Sequence, residues 1–369
     1  MLKVAVATRA LPPISEMLRT VKLATLTLLK NLGISKLVAD SSWRRKRLLI
    51  LCYHGISLED EHLWRPALYM ETGKLQEHLE LLREYECSVL PLAEALERLR
   101  ARTLPPRSVA ITFDDGMYDF YQQAFPLLKR HSYPATVYLS TYYMSRELPV
   151  FNLICSYMLW KRRGDVIPSG AEIGVHGKLD LRTEIARHSV VTSLMERADR
   201  EQMSGPKKND LAAQLAHLLN LDFAAIKSRR ILQLMNAREV QEIAQGGADI
   251  QLHTHRHRTP DEEDLFLREI RDNRKCIQEI ICKNALHFCY PSGVYRPKFL
   301  SWLRQEGIVS ATTCDAGLAT PQSNWLLLPR FIDNQRRARI DFESWLTGVG
   351  HLLAIRRAAT QRYVPEDDS

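Results

Sequence analysis

Short apolar runs typical of buried β-strands recur along this chain, and segments with helical spacing separate several of them. The runs occupy residues 48–52, 109–113, 135–140, 250–252, 286–290, 309–313 and 326–328. Because strands that alternate with helices form parallel sheets, this pattern predicts an α/β fold. We expect the sheet to be closed, or nearly closed, as an irregular (β/α) barrel. The length of 369 residues suits one barrel as well as two smaller domains.

Polar clusters follow two of these runs at the point where each strand is expected to end. Asp114 and Asp115 come after the run that ends at residue 113, and His253, His255 and His257 come after the run that ends at residue 252. In a parallel α/β fold such positions converge on one rim, where ligands and metals bind. A carboxylate oxygen and two imidazole nitrogens can hold a divalent ion and leave positions open for water and substrate.

Each cluster also has a simpler interpretation. Asp114-Asp115-Gly116 is compatible with a turn that caps a helix, and alternating histidines are compatible with an exposed polar loop. Their joint occurrence favours a metal-hydrolase site. Adjacent carboxylates on an extended segment point in different directions, so we expect one to bind metal and the other to handle protons.

The spacing of the histidines selects two of the three. His253 and His257 would share one face of a helix that began after Leu252, whereas His255 would point elsewhere. We therefore expect His253 and His257 to be the ligands and leave out His255.

These residues resemble two motifs of the polysaccharide deacetylase family, the metal-dependent carbohydrate esterases that remove acetyl groups from sugar polymers. Residues 112–116 (TFDDG) resemble the first motif, and His253-Thr254-x-x-His257 resembles the second. The resemblance covers about 47–145 and 245–345. It implies that Asp115, His253 and His257 hold the metal and that Asp114 is the general base. Zinc is the first choice for this donor set, and iron, cobalt, nickel and manganese are also chemically reasonable.

Other stretches extend the resemblance. Leu51-Cys52-Tyr53-His54 resembles the opening strand of the branch that includes poly-N-acetylglucosamine deacetylases, which implies His54 as the general acid. Residues 288–293 resemble the third motif, in which many members carry an arginine that orients the base; here Cys289 or Tyr290 takes its place. Arg330, near a late strand end, is our candidate for that role, with a surface cation as the alternative. The usual late Leu-x-His motif is missing from its expected strand.

The sequence suggests three regions: an N-terminal helical, basic segment (1–46), the barrel (47–345) and a C-terminal helix with an acidic tail (346–369). Residues from about 150 to 245 form a helical insertion in the barrel, with helical spacing at 210–219 and 224–235. The insertion could be a lid over a polymer cleft or a surface excursion. We expect Lys207, Lys208, Arg229 and Arg230 within it to form a solvated face rather than a polymer-binding track.

The N-terminal segment bears on location. Apolar residues at helical spacing in 17–32 precede Arg44-Arg45-Lys46-Arg47. Charge interrupts this stretch too often for a membrane span, and it lacks the features of a secretory signal, which favours a cytoplasmic location. The helix could pack on the protein or rest on an anionic surface at the inner membrane face, as a peripheral contact. Seven cysteines without paired spacing also fit a reducing compartment.

The net charge of +8 occurs without a recognisable nucleic-acid motif, so we expect no nucleic-acid partner. The expected substrate is an acetylated glycan. We expect a metal-dependent hydrolase that deacetylates N-acetylated sugars of a polysaccharide or lipid-linked glycan, in envelope or exopolysaccharide biosynthesis, with the backbone N–H of Tyr118 or its neighbours stabilising the oxyanion. The alternatives are a catalytically weak barrel that binds a glycan or a partner, and a hydrolase of another non-peptide amide.

Overall fold

The computed structural model describes residues 14–144 and 148–354. Its strands are β1 (Leu49–Tyr53), β2 (Gly55–Ile56), β3 (Tyr69–Met70), β4 (Ser88–Val89), β5 (Ser108–Phe113), β6 (Thr136–Leu139), β7 (Val166–Ile167), β8 (Leu179–Asp180), β9 (Asp249–Leu252), β10 (His287–Cys289), β11 (Ser310–Thr312) and β12 (Phe331–Ile332). Within these residues the main sheet has eight strands in the order β11-β10-β9-β6-β5-β1-β12, with β4 beside β5. Every pair in this sheet is parallel, as expected from the sequence.

The sheet curls until its two edges approach each other. A parallel bridge joins Thr312 at the end of β11 to Leu328, just before β12. The strand expected at 326–328 is therefore wrong in its bounds, because the chain is still turning there. The Leu327 N–H donates to the Asn324 carbonyl, and Pro329, which has no N–H to donate to a ladder, separates this turn from β12.

The barrel strands are buried along their whole length. All residues of β1 and of β5 are buried, which is typical of parallel strands covered on both faces. Because β1 pairs with β5 from Leu49 opposite Val109 to Tyr53 opposite Phe113, these two strands end at the same level. The residues that follow them, His54 and Asp114, therefore emerge together at the rim.

Helices cover the outside of the sheet and form the insertion. They are α1 (Ile14–Asn31), α2 (Ile34–Asp40), α3 (Ser42–Arg45), α4 (Glu61–Trp64), α5 (Thr72–Glu84), α6 (Leu92–Ala101), α7 (Phe125–His131), α8 (Phe151–Lys161), α9 (Glu184–Arg200), α10 (Gly205–Leu218), α11 (Phe223–Ser228), α12 (Ala237–Gln245), α13 (Glu263–Ile281), α14 (Phe299–Gln305), α15 (Arg339–Thr347) and α16 (Val349–Leu353). A π-helical turn (Phe120–Ala124) and 3-10 turns at Ala171–Ile173 and Pro291–Gly293 join them. The helices α8 to α11, with the hairpin of β7 and β8, lie between β6 and β9 in sequence.

The helix expected at 224–235 is wrong beyond Ser228, where α11 ends. Arg230 and Leu232 both have a φ of 57°, which is left-handed and breaks a helix. The backbone groups that would continue the helix bind elsewhere. The Leu232 carbonyl accepts the Val150 N–H at 2.9 Å, so this segment is tied to the residue that precedes α8.

The N-terminal helices pack on the barrel rather than standing apart from it. Lys22 and Lys30 of α1 pair with Asp341 and Glu343 of α15, both at 2.7 Å. No helix in the described part of the chain has the length and apolarity needed to cross a bilayer. The acidic tail expected at the C terminus lies outside the described residues.

Arg44 does not belong to a basic surface, although the sequence suggested one for residues 44–47. Its side chain has 0% exposure, and it donates to the carbonyls of Leu346, Arg47 and Ser108 at 3.1, 2.7 and 3.3 Å. Burial lowers the pKa of this guanidinium to about 10. Arg44 therefore fastens the N-terminal segment to the base of β5 and the end of α15.

Candidate metal centre and active site

The turn after β5 directs two neighbouring carboxylates to different sides. The Asp114 N–H donates to the Tyr53 carbonyl at 2.9 Å, which continues the pairing of β5 with β1. Asp115 and Gly116 then have φ values of 73° and 80°, so the chain reverses at once. A Cβ on Gly116 would lie 2.2 Å from Leu139 Cδ1. Glycine is therefore required at this position by both backbone conformation and space.

Asp115 faces both of the selected histidines. Its Oδ1 lies 3.2 Å from His253 Nε2 and 3.1 Å from His257 Nε2. The three ligand atoms are all within 4.8 Å of one another, and the two imidazole rings meet edge to face with centroids 4.9 Å apart. The structure thus brings together the three residues that the sequence resemblance selected as metal ligands.

The two histidines converge without the helix that we expected after Leu252. Residues 253–262 form a loop, in which Thr254 and His257 have φ values of 62° and 57°. The His255 carbonyl in this loop accepts the N–H groups of Thr141 and Tyr142, at 3.2 and 2.8 Å. These bonds replace helical hydrogen bonds, so it is loop geometry and not helical periodicity that turns His257 back toward Asp115.

The chemistry of this donor set fits a divalent metal. His253 Nδ1 lies 2.9 Å from the Cys289 carbonyl, and a carbonyl only accepts, so Nδ1 carries the proton and Nε2 presents a lone pair to the site. Asp115 Oδ1 is buried and has no hydrogen-bond donor among the described residues. Burial raises the pKa of Asp115, but the two imidazoles, in the form that carries a proton on Nε2, would outweigh burial and hold this pKa well below its usual range. One anionic oxygen and two imidazole nitrogens are a ligand set for zinc and related ions.

Asp114 is held by a fully buried arginine. Arg330 Nη1 and Nη2 donate to the two Asp114 carboxylate oxygens, each at 2.7 Å, and Arg330 has 0% exposure. Burial raises the pKa of Asp114, but the adjacent Arg330 charge outweighs it and lowers this pKa well below its usual value. Such a bidentate pair fixes the plane of the carboxylate as well as its charge.

This position rules out the alternative reading of Arg330 as a surface cation. Its Nε also donates to the Thr313 carbonyl at 3.0 Å, and Nη2 contacts Cys289 Sγ at 3.1 Å. Cys289 belongs to the stretch that resembles the third motif, whose expected arginine is absent. Arg330 enters from just before β12 and occupies the space beside Asp114 that this arginine would be expected to fill.

His54 follows β1 directly and lies beside Asp114. Its Nε2 is 3.7 Å from Asp114 Oδ2. Its Nδ1 is buried and has no hydrogen-bond partner among the described residues. The imidazole therefore lies near the Asp114 carboxylate, and its Nδ1 is not engaged by another described residue. A proton-transfer group needs such a position, within reach of the reacting atoms.

The end of the insertion is paired with the turn that carries Asp115. The Tyr118 N–H donates to the Gln233 carbonyl at 2.8 Å, and the Met235 N–H donates to the Gly116 carbonyl at 3.0 Å. The Tyr118 N–H is therefore occupied, and our expectation that it stabilises an oxyanion is wrong for this residue. Arg230 does not belong to a solvated face either, because its guanidinium lies 3.9 Å from the Tyr118 ring centroid and pairs with Glu239.

A second contact fastens the insertion to the loop after β2. Asp60 accepts hydrogen bonds from Tyr157 and from Lys161, the latter at 2.7 Å. Burial raises the pKa of Asp60, but these two hydrogen bonds outweigh it, so the pKa lies below its ordinary value. Both anchors place the insertion at the same rim as the metal ligands.

Two functional positions were missed in the sequence. Asn273 of α13, with 0% exposure, accepts the His253 N–H at 3.0 Å and donates to the Leu139 carbonyl at 2.9 Å. Glu269, one turn earlier, accepts the Arg256 N–H at 2.7 Å. Both hold the histidine loop in place. The available signal was a pair of polar residues four apart on the apolar face of a helix, since such residues need buried partners.

Comparisons with known proteins agree with the motifs. The sequence model described as polysaccharide deacetylase matches residues 101–217 and 223–311, more than half of the chain. The poly-beta-1,6-N-acetyl-D-glucosamine N-deacetylase of Escherichia coli K12 is 31% identical over 100 residues, which span 27% of this chain and 15% of that protein. The protein of the same name from Staphylococcus aureus N315 is 31% identical over 75 residues, which span 20% of this chain and 26% of that protein. The matched segments are thus a minor part of each relative.

Two solved structures share the fold. The deacetylase PplD of Streptococcus pyogenes, in complex with acetate, aligns with a TM-score of 0.52 and 18% identity over 79% of this chain and 93% of that one. IcaB from Ammonifex degensii aligns with a TM-score of 0.50 and 17% identity over 82% of this chain and 97% of that one. These alignments confirm the irregular (β/α) barrel expected from the sequence. Because the family's sequence model matches more than half of this chain, the chain belongs to the polysaccharide deacetylase family.

Proposed function

We propose that this chain is a metal-dependent deacetylase that hydrolyses the acetamido group of an N-acetylated glycan. One observation carries the proposal: the three-residue ligand set of Asp115, His253 and His257 adjoins a buried carboxylate, Asp114, that an arginine holds ionised. A buried charged carboxylate is costly unless it is paired, and here a buried arginine is needed to keep Asp114 in place. A module that only binds a glycan has no use for such an arrangement beside a metal-ligand set.

Asp115, His253 and His257 would hold the metal. When bound, a divalent ion polarises the acetyl carbonyl and makes a nearby water more acidic. Asp114 accepts the proton of that attacking water. Its bidentate pairing with Arg330 holds the carboxylate plane in one orientation. His54 then donates a proton to the nitrogen of the departing sugar amine. The separation of 3.7 Å between His54 Nε2 and Asp114 Oδ2 allows both groups to act on one amide bond.

The backbone N–H of Met117 is the proposed oxyanion donor. The neighbouring Tyr118 N–H is bound by Gln233, whereas the Met117 N–H has no acceptor among the hydrogen bonds of the described residues. Pairing of Gly116 and Tyr118 with the insertion fixes the peptide planes on both sides of Met117. A fixed donor is more effective than a mobile one because it needs no reorganisation as charge develops.

The proposed substrate is a polymer or lipid-linked glycan that contains N-acetylglucosamine, in envelope or exopolysaccharide biosynthesis. Relatives named for poly-beta-1,6-N-acetyl-D-glucosamine support this class. The test is acetate release from N-acetylglucosamine oligomers, small cyclic amides and O-acetylated sugars by the purified, metal-loaded protein. Release from the oligomers supports the proposal. Release from cyclic amides alone would support a hydrolase of another amide, and binding of oligomers without any release would support a binding barrel.

We also propose that α1 rests on an anionic membrane surface, while the cytoplasmic location remains a prediction. One face of α1 exposes Leu18, Val21 and Leu28, and Leu32 follows directly after the helix; each has at least 57% of its surface accessible. The spacing of three and seven residues keeps the three helical residues on one side of α1. Exposed cations lie close by in sequence, at Lys36, Arg45 and Lys46. An apolar face beside basic residues is the combination that binds anionic bilayers.

A further inference from the structure

An aromatic cavity lies between the barrel rim and the insertion. Its volume is about 240 Å³. Tyr142 and Tyr143 line it from the loop after β6, while Phe151 of α8 and Phe223 of α11 line it from the insertion. None of the proposed metal ligands is among its lining residues. It is therefore a separate space from the reaction centre described above.

The cavity adjoins the histidine loop. The ring of Tyr142 meets the ring of His255 edge to face, with centroids 5.4 Å apart. The Arg256 guanidinium lies 5.1 Å from the centroid of the same tyrosine ring. Both residues belong to the loop between His253 and His257, so the wall of the cavity and the metal ligands share one short segment.

Two polar side chains that could bind a ligand, Asn209 and Lys208, line the cavity. Asn209 of α10 lines it, and the Asn209 Oδ1 is buried with no hydrogen-bond partner among the described residues. An unpaired buried amide oxygen is unfavourable, so it calls for a donor from a ligand. Lys208, which we expected on a solvated face, lines the cavity as well, with its Nζ 3.6 Å from Asp199 Oδ1.

These features match the chemistry of a sugar ring. The C–H faces of a pyranose pack on aromatic rings, its hydroxyl or acetamido N–H groups can donate to Asn209, and an ammonium such as Lys208 can donate to its oxygens. Size separates a sugar from a long lipid chain. Pockets for drug-sized ligands span about 300–1,000 Å³, so a smaller cavity with polar groups suits a single ring.

We propose that this cavity is a second sugar subsite, which binds one unit of the acetylated glycan while another unit lies at the metal centre. The inference rests on the proposed deacetylase function and deepens it. It gives the insertion a defined role, namely the selection of polymeric over single sugars. It also favours a cleft-forming insertion over a surface excursion.

The test uses variants of the cavity and one matched control. Asn209→Ala removes the unpaired acceptor, Phe223→Ala removes one aromatic wall, and Gln214→Ala changes an exposed residue of the same helix α10 outside the cavity. Acetate release is measured on N-acetylglucosamine oligomers of increasing length, with thermal unfolding of each variant as a check on folding. The expected result for Asn209→Ala is a KM for long oligomers raised roughly three- to tenfold, the effect of one lost hydrogen bond. The kcat, and both constants for the shortest oligomer that is turned over, stay unchanged.

Phe223→Ala should raise the same KM at least as much, and Gln214→Ala should leave every constant unchanged. Equal KM values for wild type and Asn209→Ala at all lengths, with acetate release intact, would overturn the subsite and leave the proposed function standing. Inhibition by a prenyl phosphate that Phe223→Ala relieves, with no effect on oligomer KM, would assign the cavity to a lipid and also overturn the subsite. Absence of acetate release from every glycan would refute the proposed function and the subsite together.

Discussion

The pairing of Arg330 with Asp114 predicts a strong energetic coupling that a double-mutant cycle can measure. Removing one partner of a buried ion pair costs about 3–5 kcal/mol, because it leaves an uncompensated charge in the core. Arg330→Met should therefore lower the free energy of unfolding by about this amount, since Asp114 would be left 3% exposed without its partner. Adding Asp114→Asn removes the stranded charge. The free energy of unfolding of the double variant should exceed, by roughly 2 kcal/mol or more, the value expected if the two single effects simply added.

The measurement is reversible urea unfolding of wild type, both single variants and the double variant, all after treatment with a chelator so that metal release does not contribute. Arg44 provides a matched control, because it is equally buried but donates only to backbone carbonyls. It contacts Ser108, at the other end of β5 from Asp114, on the order of 20 Å away along the strand. Arg44→Met should destabilise the protein and add simply with Asp114→Asn.

The same variants separate a positioning role from a purely structural one. If Arg330 orients the base, Arg330→Met in the metal-loaded protein should lower kcat by about 10²-fold or more, within the range for a proton-transfer group, with little change in KM. Arg330→Lys keeps the charge but cannot make two parallel hydrogen bonds, so it should recover stability better than kcat. Additive free energies for Arg330→Met and Asp114→Asn, or an unchanged kcat in Arg330→Met, would refute this reasoning.

Three further predictions concern the metal, the insertion and the N-terminal helix. Zinc at a concentration 100 times its dissociation constant should stabilise wild type that a chelator has freed of metal by about 2.7 kcal/mol, seen as a raised Tm. His257→Ala should show no such rise in Tm, and an equal rise in both proteins would remove His257 from the ligand set. Because the pKa of Asp60 is lowered in the folded state, its contribution to stability is present above the unfolded pKa of about 3.9 and is lost as the pH falls. Wild type should thus lose more unfolding free energy between pH 5 and pH 3 than Asp60→Asn, and parallel pH curves would contradict this. Leu18→Glu with Leu28→Glu should reduce co-sedimentation with vesicles containing anionic lipid, whereas Thr27→Glu at another exposed position of α1 should reduce it less; unchanged binding of the double variant would exclude this face.

The rim that carries the site could be predicted from the sequence because parallel strands impose it. Once β5 and β9 are recognised as parallel strands of one sheet, here with β6 between them, the residues after each strand must emerge on the same side. That rule alone places Asp115 near His253. The different directions of Asp114 and Asp115 also follow from adjacent positions on an extended segment, and the structure shows one facing Arg330 and the other facing the histidines.

Other parts of the site depend on contacts that no local pattern records. Arg330 reaches Asp114 because the late strand β12 pairs with β1, the neighbour of β5, which brings together residues 216 positions apart. The approach of His257 depends on two residues with left-handed backbone and on bonds from Thr141 and Tyr142. The pairing of Gln233 with Tyr118 depends on where the insertion returns to the barrel. Local propensity describes single segments, so it gives no account of such long-range pairs.

The proposed deacetylase activity depends on a metal held by Asp115, His253 and His257 beside a base, Asp114. It is tested most directly by measuring bound metal and acetate release on the same preparations of wild type, Asp114→Asn and His257→Ala, with N-acetylglucosamine oligomers as substrate. We expect bound metal in wild type and in Asp114→Asn, acetate release by wild type alone, and neither metal nor release in His257→Ala. Undiminished release by Asp114→Asn, or a full complement of metal in His257→Ala, would contradict it.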